Sequence, residues 1–114
     1  MNLDDLATAI SAISDDPVVQ GLSILLMDWK TSDQTAADLE KSVERFVGNS
    51  WIEDDAEHER AYSLWVHFRD QAIGAIDGMT MNERLYYFSL FAHFDECVDE
   101  ERRLTIYRKL DATP

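Results

Sequence analysis

MTMNERLYYFSLFAHFDEC, residues Met79 to Cys97, joins a helix start signal to the densest aromatic run of the chain. Thr80 and Glu83 have the spacing of a capping box, in which the threonine oxygen accepts from the backbone N–H of residue 83 and the glutamate carboxylate from that of residue 80. A helix is therefore predicted to begin at Met81. Leu85, Tyr86, Tyr87, Phe88, Leu90, Phe91, Ala92 and Phe94 cover nearly its whole circumference and leave a narrow polar line through Asn82, Ser89, His93 and Glu96. A helix apolar almost all round is a buried helix. Residues 81–95 are thus predicted to be a central aromatic helix that the others surround.

Working back from it, Asp77-Gly78 ends a helix predicted to open at Ser50 and Glu53, which repeat the capping-box spacing, and to be the longest of the chain. Its inner stripe reads Ala61, Leu64, Trp65, Phe68, Ala72, Ile73 and Ile76, and its outer stripe Arg60, Ser63, His67, Asp70, Gln71 and Gly74. Asn2 can cap a first helix with Leu3, Leu6, Ala7, Ile10 and Ile13 inward. Asp16-Pro17 restarts the chain into a second helix that runs toward Trp29. Thr31, Ser32 and Asp33 supply a turn and a cap, and a third helix from Gln34 ends at Gly48-Asn49. Beyond the aromatic stretch, Asp99 opens a last helix with Leu104, Tyr107 and Leu110 inward and Asp99–Arg103 available as an i,i+4 pair. No hairpin dipeptide lies between alternating runs. The fold class is all-α: one domain over 1–114, a bundle of roughly five to six helices.

The chain is 46% hydrophobic and carries a formal charge of −13. The apolar fraction supports a folded core, and the charge disfavours direct nucleic-acid and anionic-lipid binding while favouring a basic partner. No apolar run reaches the ~20 residues that cross a bilayer. A single cysteine, Cys97, and a start without a basic and then apolar leader make the cytoplasm the expected compartment.

Phosphate loops, nucleophile elbows and Cys-x-x-Cys pairs do not occur, so no catalytic residue is assigned. His93 and Cys97 are four apart beside Glu96, but His58 and His67 complete no tetrahedral set, and neither metal nor cofactor is expected. Ser89, His93 and Glu96 are left as either a satisfied polar seam or the floor of a small pocket. The most distinctive surface feature is WIEDDAEHE, residues 51–59. Acidic residues in a first helical turn stabilise it, which accounts for two or three of these five; the surplus has only Arg60 as a basic neighbour. Trp51, Glu53, Asp54, Asp55, Glu57 and Glu59 are accordingly the candidate partner-binding residues. Trp65 reads as core, whereas Trp29 and Trp51 stand at helix ends, where a tryptophan either closes the core or anchors an interface.

The segment GMTMNERLYYFSLFAHFDEC with the trailing RRLTIYRKL resembles a segment of small uncharacterised bacterial proteins that carry M-T-x-N-E-R-L before an aromatic helix. That resemblance covers about the last third of the chain and implies no catalytic residue. In size, acidity and helical content the chain is also similar to cytoplasmic immunity partners of bacterial toxins. The leading expectation is a non-enzymatic inhibitor of that kind, its acidic run meeting a basic surface such as a nuclease cleft. The alternatives are a nucleic-acid mimic that inhibits a nuclease, a small metal-binding or enzymatic bundle built on His93, Glu96 and Cys97, and a homodimer with no other partner.

Overall fold

The computed structural model describes residues 1–50 and 52–114, and among these all regular structure is helical. Seven α-helices follow one another: α1 (Leu3–Ser11), α2 (Pro17–Trp29), α3 (Ala36–Asn49), α4 (Asp55–Phe68), α5 (Met81–Tyr87), α6 (Phe91–Asp95) and α7 (Glu100–Lys109). A π-helical turn, Arg69–Ile73, prolongs α4, and a 3-10 turn, Ile76–Gly78, leads into α5.

The starts of α1 and α2 are where the sequence puts them. Asn2 accepts from the Asp5 N–H while Asp5 answers the Asn2 N–H, and Asp16 accepts from Val18 ahead of a helix that opens on Pro17. The other two caps are corrections. Helix α3 is capped by a Thr35/Asp38 box rather than by Asp33, and α4 by Asp54, which accepts from the Glu57 N–H, rather than by Ser50 with Glu53. Each true cap stands later in the chain than the expected one, because several residues able to cap crowd both turns and only backbone geometry selects among them.

Helices α1 and α2 form an antiparallel pair that packs on α4 and α3. Gly21 permits the close α2–α3 approach, since a Cβ there would lie 3.2 Å from the Phe46 ring. The inner stripe expected for α4 and its extension is buried or half-buried throughout, and the outer stripe is exposed. Trp29 closes the core: it is buried, and its ring lies 5.3 Å from that of Phe88, which in turn meets Phe68 edge-on at 5.7 Å.

The aromatic stretch departs most from expectation. It is two short helices, not one spanning 81–95, and it is not buried all round: Leu85, Phe88 and Leu90 are buried, while Tyr86 is 48% and Phe91 41% exposed. The Thr80/Glu83 box opens α5 as expected. The helix then stops at a Schellman motif. Ser89 adopts φ 56°, the Leu90 N–H reaches the Leu85 carbonyl at 2.9 Å, and the Ser89 N–H reaches that of Tyr86 at 3.1 Å. A second such motif ends α7, with Asp111 at φ 54° and the Ala112 N–H on the Tyr107 carbonyl at 2.8 Å. Glycine usually fills this left-handed position, and serine and aspartate gave no such signal.

Helix α7 is also rotated from its expected setting. Ile106, Lys109 and Leu110 face the core, Leu104 is exposed, and Tyr107 packs edge-on against Phe94 at 5.7 Å. Asp99 caps the helix as expected, but Arg103 turns away from it. Its Nε donates to the Cys97 carbonyl, and its guanidinium lies over the Phe94 ring at 5.3 Å.

Candidate functional site

The acidic run begins where Ile52, itself buried, anchors the chain just ahead of α4. Asp54 then caps the helix at 3.0 Å from the Glu57 nitrogen, and Asp55 and Glu57 occupy the first turn, where the positive end of the helix dipole favours them. Glu53, Asp54, Asp55 and Glu59 are exposed and Glu57 is half-buried. Trp51, the remaining candidate, lies outside the described residues. Behind the run, His58 stacks on Tyr62 with ring centroids 6.5 Å apart, and both border a crevice whose other walls are apolar apart from Ser50, among them Val18, Phe46 and Val47.

The run is electrostatically uncompensated. Among the described residues the ion pairs are Lys30–Asp4 at 2.9 Å, Arg69–Glu44 at 2.8 Å and Arg69–Asp70 at 3.3 Å, and none involves residues 53–59. Three further basic groups are committed elsewhere, and Arg60, next to the run, is exposed and enters no ion pair among the described residues. Arg84 donates twice to the Ile76 carbonyl, Arg103 holds the Cys97 carbonyl, and Lys109 is enclosed in the core. The five carboxylates thus present acceptor oxygens to solvent, the arrangement that lysine and arginine side chains of another molecule can meet.

Ser89, His93 and Glu96 do not come together as a pocket floor. The break at Ser89 turns its hydroxyl toward α1, where it accepts from the Asp4 N–H at 3.0 Å and satisfies one of the unpaired donors at that helix start. His93 is half-buried, and its Nδ1 is buried with no hydrogen-bond partner among the described residues. Glu96 is exposed. Cys97 donates its thiol to the His93 carbonyl at 3.0 Å and packs against the core. Among the described residues, no group of three or more His, Cys, Asp and Glu is placed to hold a metal ion.

Two polar constellations escaped the sequence reading. Glu44 accepts from Arg69 at 2.8 Å and from the Trp65 indole at 3.3 Å, tying α3 to the end of α4; Glu44, and then Asp70, raise the Arg69 pKa above its ordinary value. Lys109 is 2% exposed and donates to the carbonyls of Trp29, Ser32 (2.7 Å) and Gln34 (3.0 Å), so each of its three protons finds an oxygen at the end of α2 and the following turn. Its ammonium also lies 3.9 Å from the centre of the Trp29 ring. Burial pushes its pKa down to about 8, against the opposing pull of Asp33 and Asp38. The signal was present in the sequence, because Ile106, Lys109 and Leu110 recur at three and four on one helix face.

Fold and surface together define a helical bundle with an acidic run at the start of one helix that enters no ion pair among the described residues. No family model matches the chain, and comparison with curated proteins and with solved structures finds no significant match. No helix among the described residues is long and apolar enough to cross a membrane.

Proposed function

We propose that this chain is a non-enzymatic binding protein that docks a basic protein on Glu53, Asp54, Asp55, Glu57 and Glu59, in the manner of an immunity-type inhibitor of a toxin. One observation carries the reading: five clustered carboxylates with no ion-pair partner among the described residues, on a chain of charge −13. Mutual repulsion among them costs stability that Asp54 capping and the helix dipole recover only in part. A cationic surface would be steered toward the run and would neutralise it on contact. The nucleic-acid mimic is less favoured. Exposed carboxylates also stand at Asp5, Asp28, Asp33, Asp77 and Glu101, dispersed over other elements instead of following one phosphate-like track.

Recovering the bound protein with a tagged chain from its own host, and then measuring its affinity against salt, tests the reading. Converting the five residues to their amides is expected to weaken binding at least ~10-fold and to flatten the salt dependence, while Asp54→Asn keeps a capping side chain. Affinity and salt dependence that both stay unchanged would overturn it.

A further inference from the structure

Lys109 is buried, and among the described residues no ion pair includes it. What receives it is a cage of oxygens. The carbonyls of Trp29, Ser32 and Gln34 converge on its ammonium, the Ser32 hydroxyl oxygen lies 3.3 Å away, and the Trp29 ring closes one side with its centre at 3.9 Å. Three carbonyl acceptors and an aromatic face match a primary ammonium, which has three N–H donors and a positive charge, and they repel an anion. Asp33 and Asp38 add a field that favours a cation.

The cage is built without Lys109. The Ser32 N–H and hydroxyl hold the Trp29 carbonyl at 3.1 and 2.8 Å, the Gln34 N–H donates to the Ser32 hydroxyl oxygen at 3.3 Å, and the Trp29 indole donates to the Thr35 carbonyl at 2.9 Å. The Thr35/Asp38 box then fixes the first turn of α3. Each of these bonds lies within residues 29–38, and none passes through α7. We propose that residues 29–38 form a binding site for primary alkylammonium groups in its own right, and that Lys109 is its tethered occupant. The tether matters because a side chain delivered by the same chain meets the cage at a high effective concentration, so the site fills without a carboxylate in direct contact. The cage belongs to the α2–α3 turn and the acidic run to α4, so this site and the binding of a basic partner are separate claims.

Chemical rescue tests the proposal. Lys109→Ala removes Cγ, Cδ, Cε and Nζ, which are the heavy atoms of propylammonium, and the melting temperature of the variant is followed against that ion near neutral pH, where the amine is charged. It is expected to rise saturably, by at least ~3 °C near ~100 mM, since a ligand that binds only the folded chain stabilises it. Tetramethylammonium, which has no N–H donor, and 1-propanol, which has no charge, are expected to give no such rise. Ile106→Ala, truncated on the same buried face of α7, is expected to respond to none of these compounds. Lys109→Met gives a second reading in a variant that keeps the stem and loses only the ammonium: ammonium chloride is expected to raise its melting temperature above equal sodium chloride, by more than in wild type. A Lys109→Ala chain that folds and gains nothing from propylammonium overturns the proposal, as does an equal gain from tetramethylammonium or 1-propanol. Where Lys109→Ala does not fold, a Lys109→Met chain that answers both salts alike overturns it.

Discussion

Lys109 shows how one side chain can serve two structural ends. From a helix far along the chain, its buried ammonium reaches the last carbonyl of α2 and two carbonyls of the turn that follows. Lys109→Met keeps most of the stem volume but takes the ammonium from the Ser32 and Gln34 carbonyls, while the Trp29 carbonyl keeps the Ser32 N–H and hydroxyl, and a loss of about 2 kcal/mol is expected in urea unfolding. Its charge has a separate signature. With a folded pKa of about 8 against ~10.4 in the unfolded chain, the unfolded state holds the extra proton in that interval. Stability is therefore expected to rise with pH from about 8 upward more steeply in wild type than in Lys109→Met; equal slopes would contradict the assignment. Asp111 offers a cleaner test of backbone strain, since it is exposed and left-handed. Asp111→Gly is expected to stabilise by about 0.5–1 kcal/mol, read as a higher melting temperature, because glycine adopts that conformation without a Cβ clash. Ser89→Gly would relax the same strain and lose the bond to Asp4, so its net change is expected to be smaller than that of Asp111→Gly.

At the scale of elements, the sequence was legible wherever a signal was local and unrivalled. Asn2, Asp16-Pro17 and Thr80/Glu83 each fix a helix start through groups within three residues, and the 3.6-residue period assigned both faces of α4. It failed where two local signals competed, as at Asp33 against Thr35 and Ser50 against Asp54. It also failed where the deciding contact is remote. Nothing in LYYFSLF announces a helix end; the αL turn at Ser89 is held by Leu85 and Leu90 in the core and by Asp4 of α1. The capping boxes at Thr35/Asp38 and Thr80/Glu83 make a further expectation. Backbone N–H donation from Thr35 and Thr80 lowers the Asp38 and Glu83 pKa values below the usual carboxylate range. Their contribution is complete above that range and is lost as pH falls through the lowered values, so acid unfolding of the double mutant Asp38→Asn/Glu83→Gln is expected to be less steep in pH than that of wild type. Thr80→Ala, which removes one side of a box, is expected to cost about 1 kcal/mol.

For the whole molecule, charge was read correctly from composition, but its placement required the fold. The acidic run could be named from WIEDDAEHE, yet that it enters no ion pair among the described residues, even with Arg60 beside it, follows only from the fold. The scarcity of charge over residues 6–27 is equally visible in the sequence as a gap between charges. Basic-partner binding at the run is expected to weaken as salt rises, which a titration series would read. The capping arrangement also bears on the order in which the molecule can be completed. Synthesis delivers α1 and α2 first, but the hydroxyl that closes the start of α1 arrives 85 residues after Asp4, and the ammonium that closes the end of α2 arrives 80 residues after Trp29. During synthesis the Asp4 bond can form once Ser89 has emerged, whereas the bonds to the end of α2 wait for α7, so a chain cut between residues 90 and 108 would keep the first and lack the second.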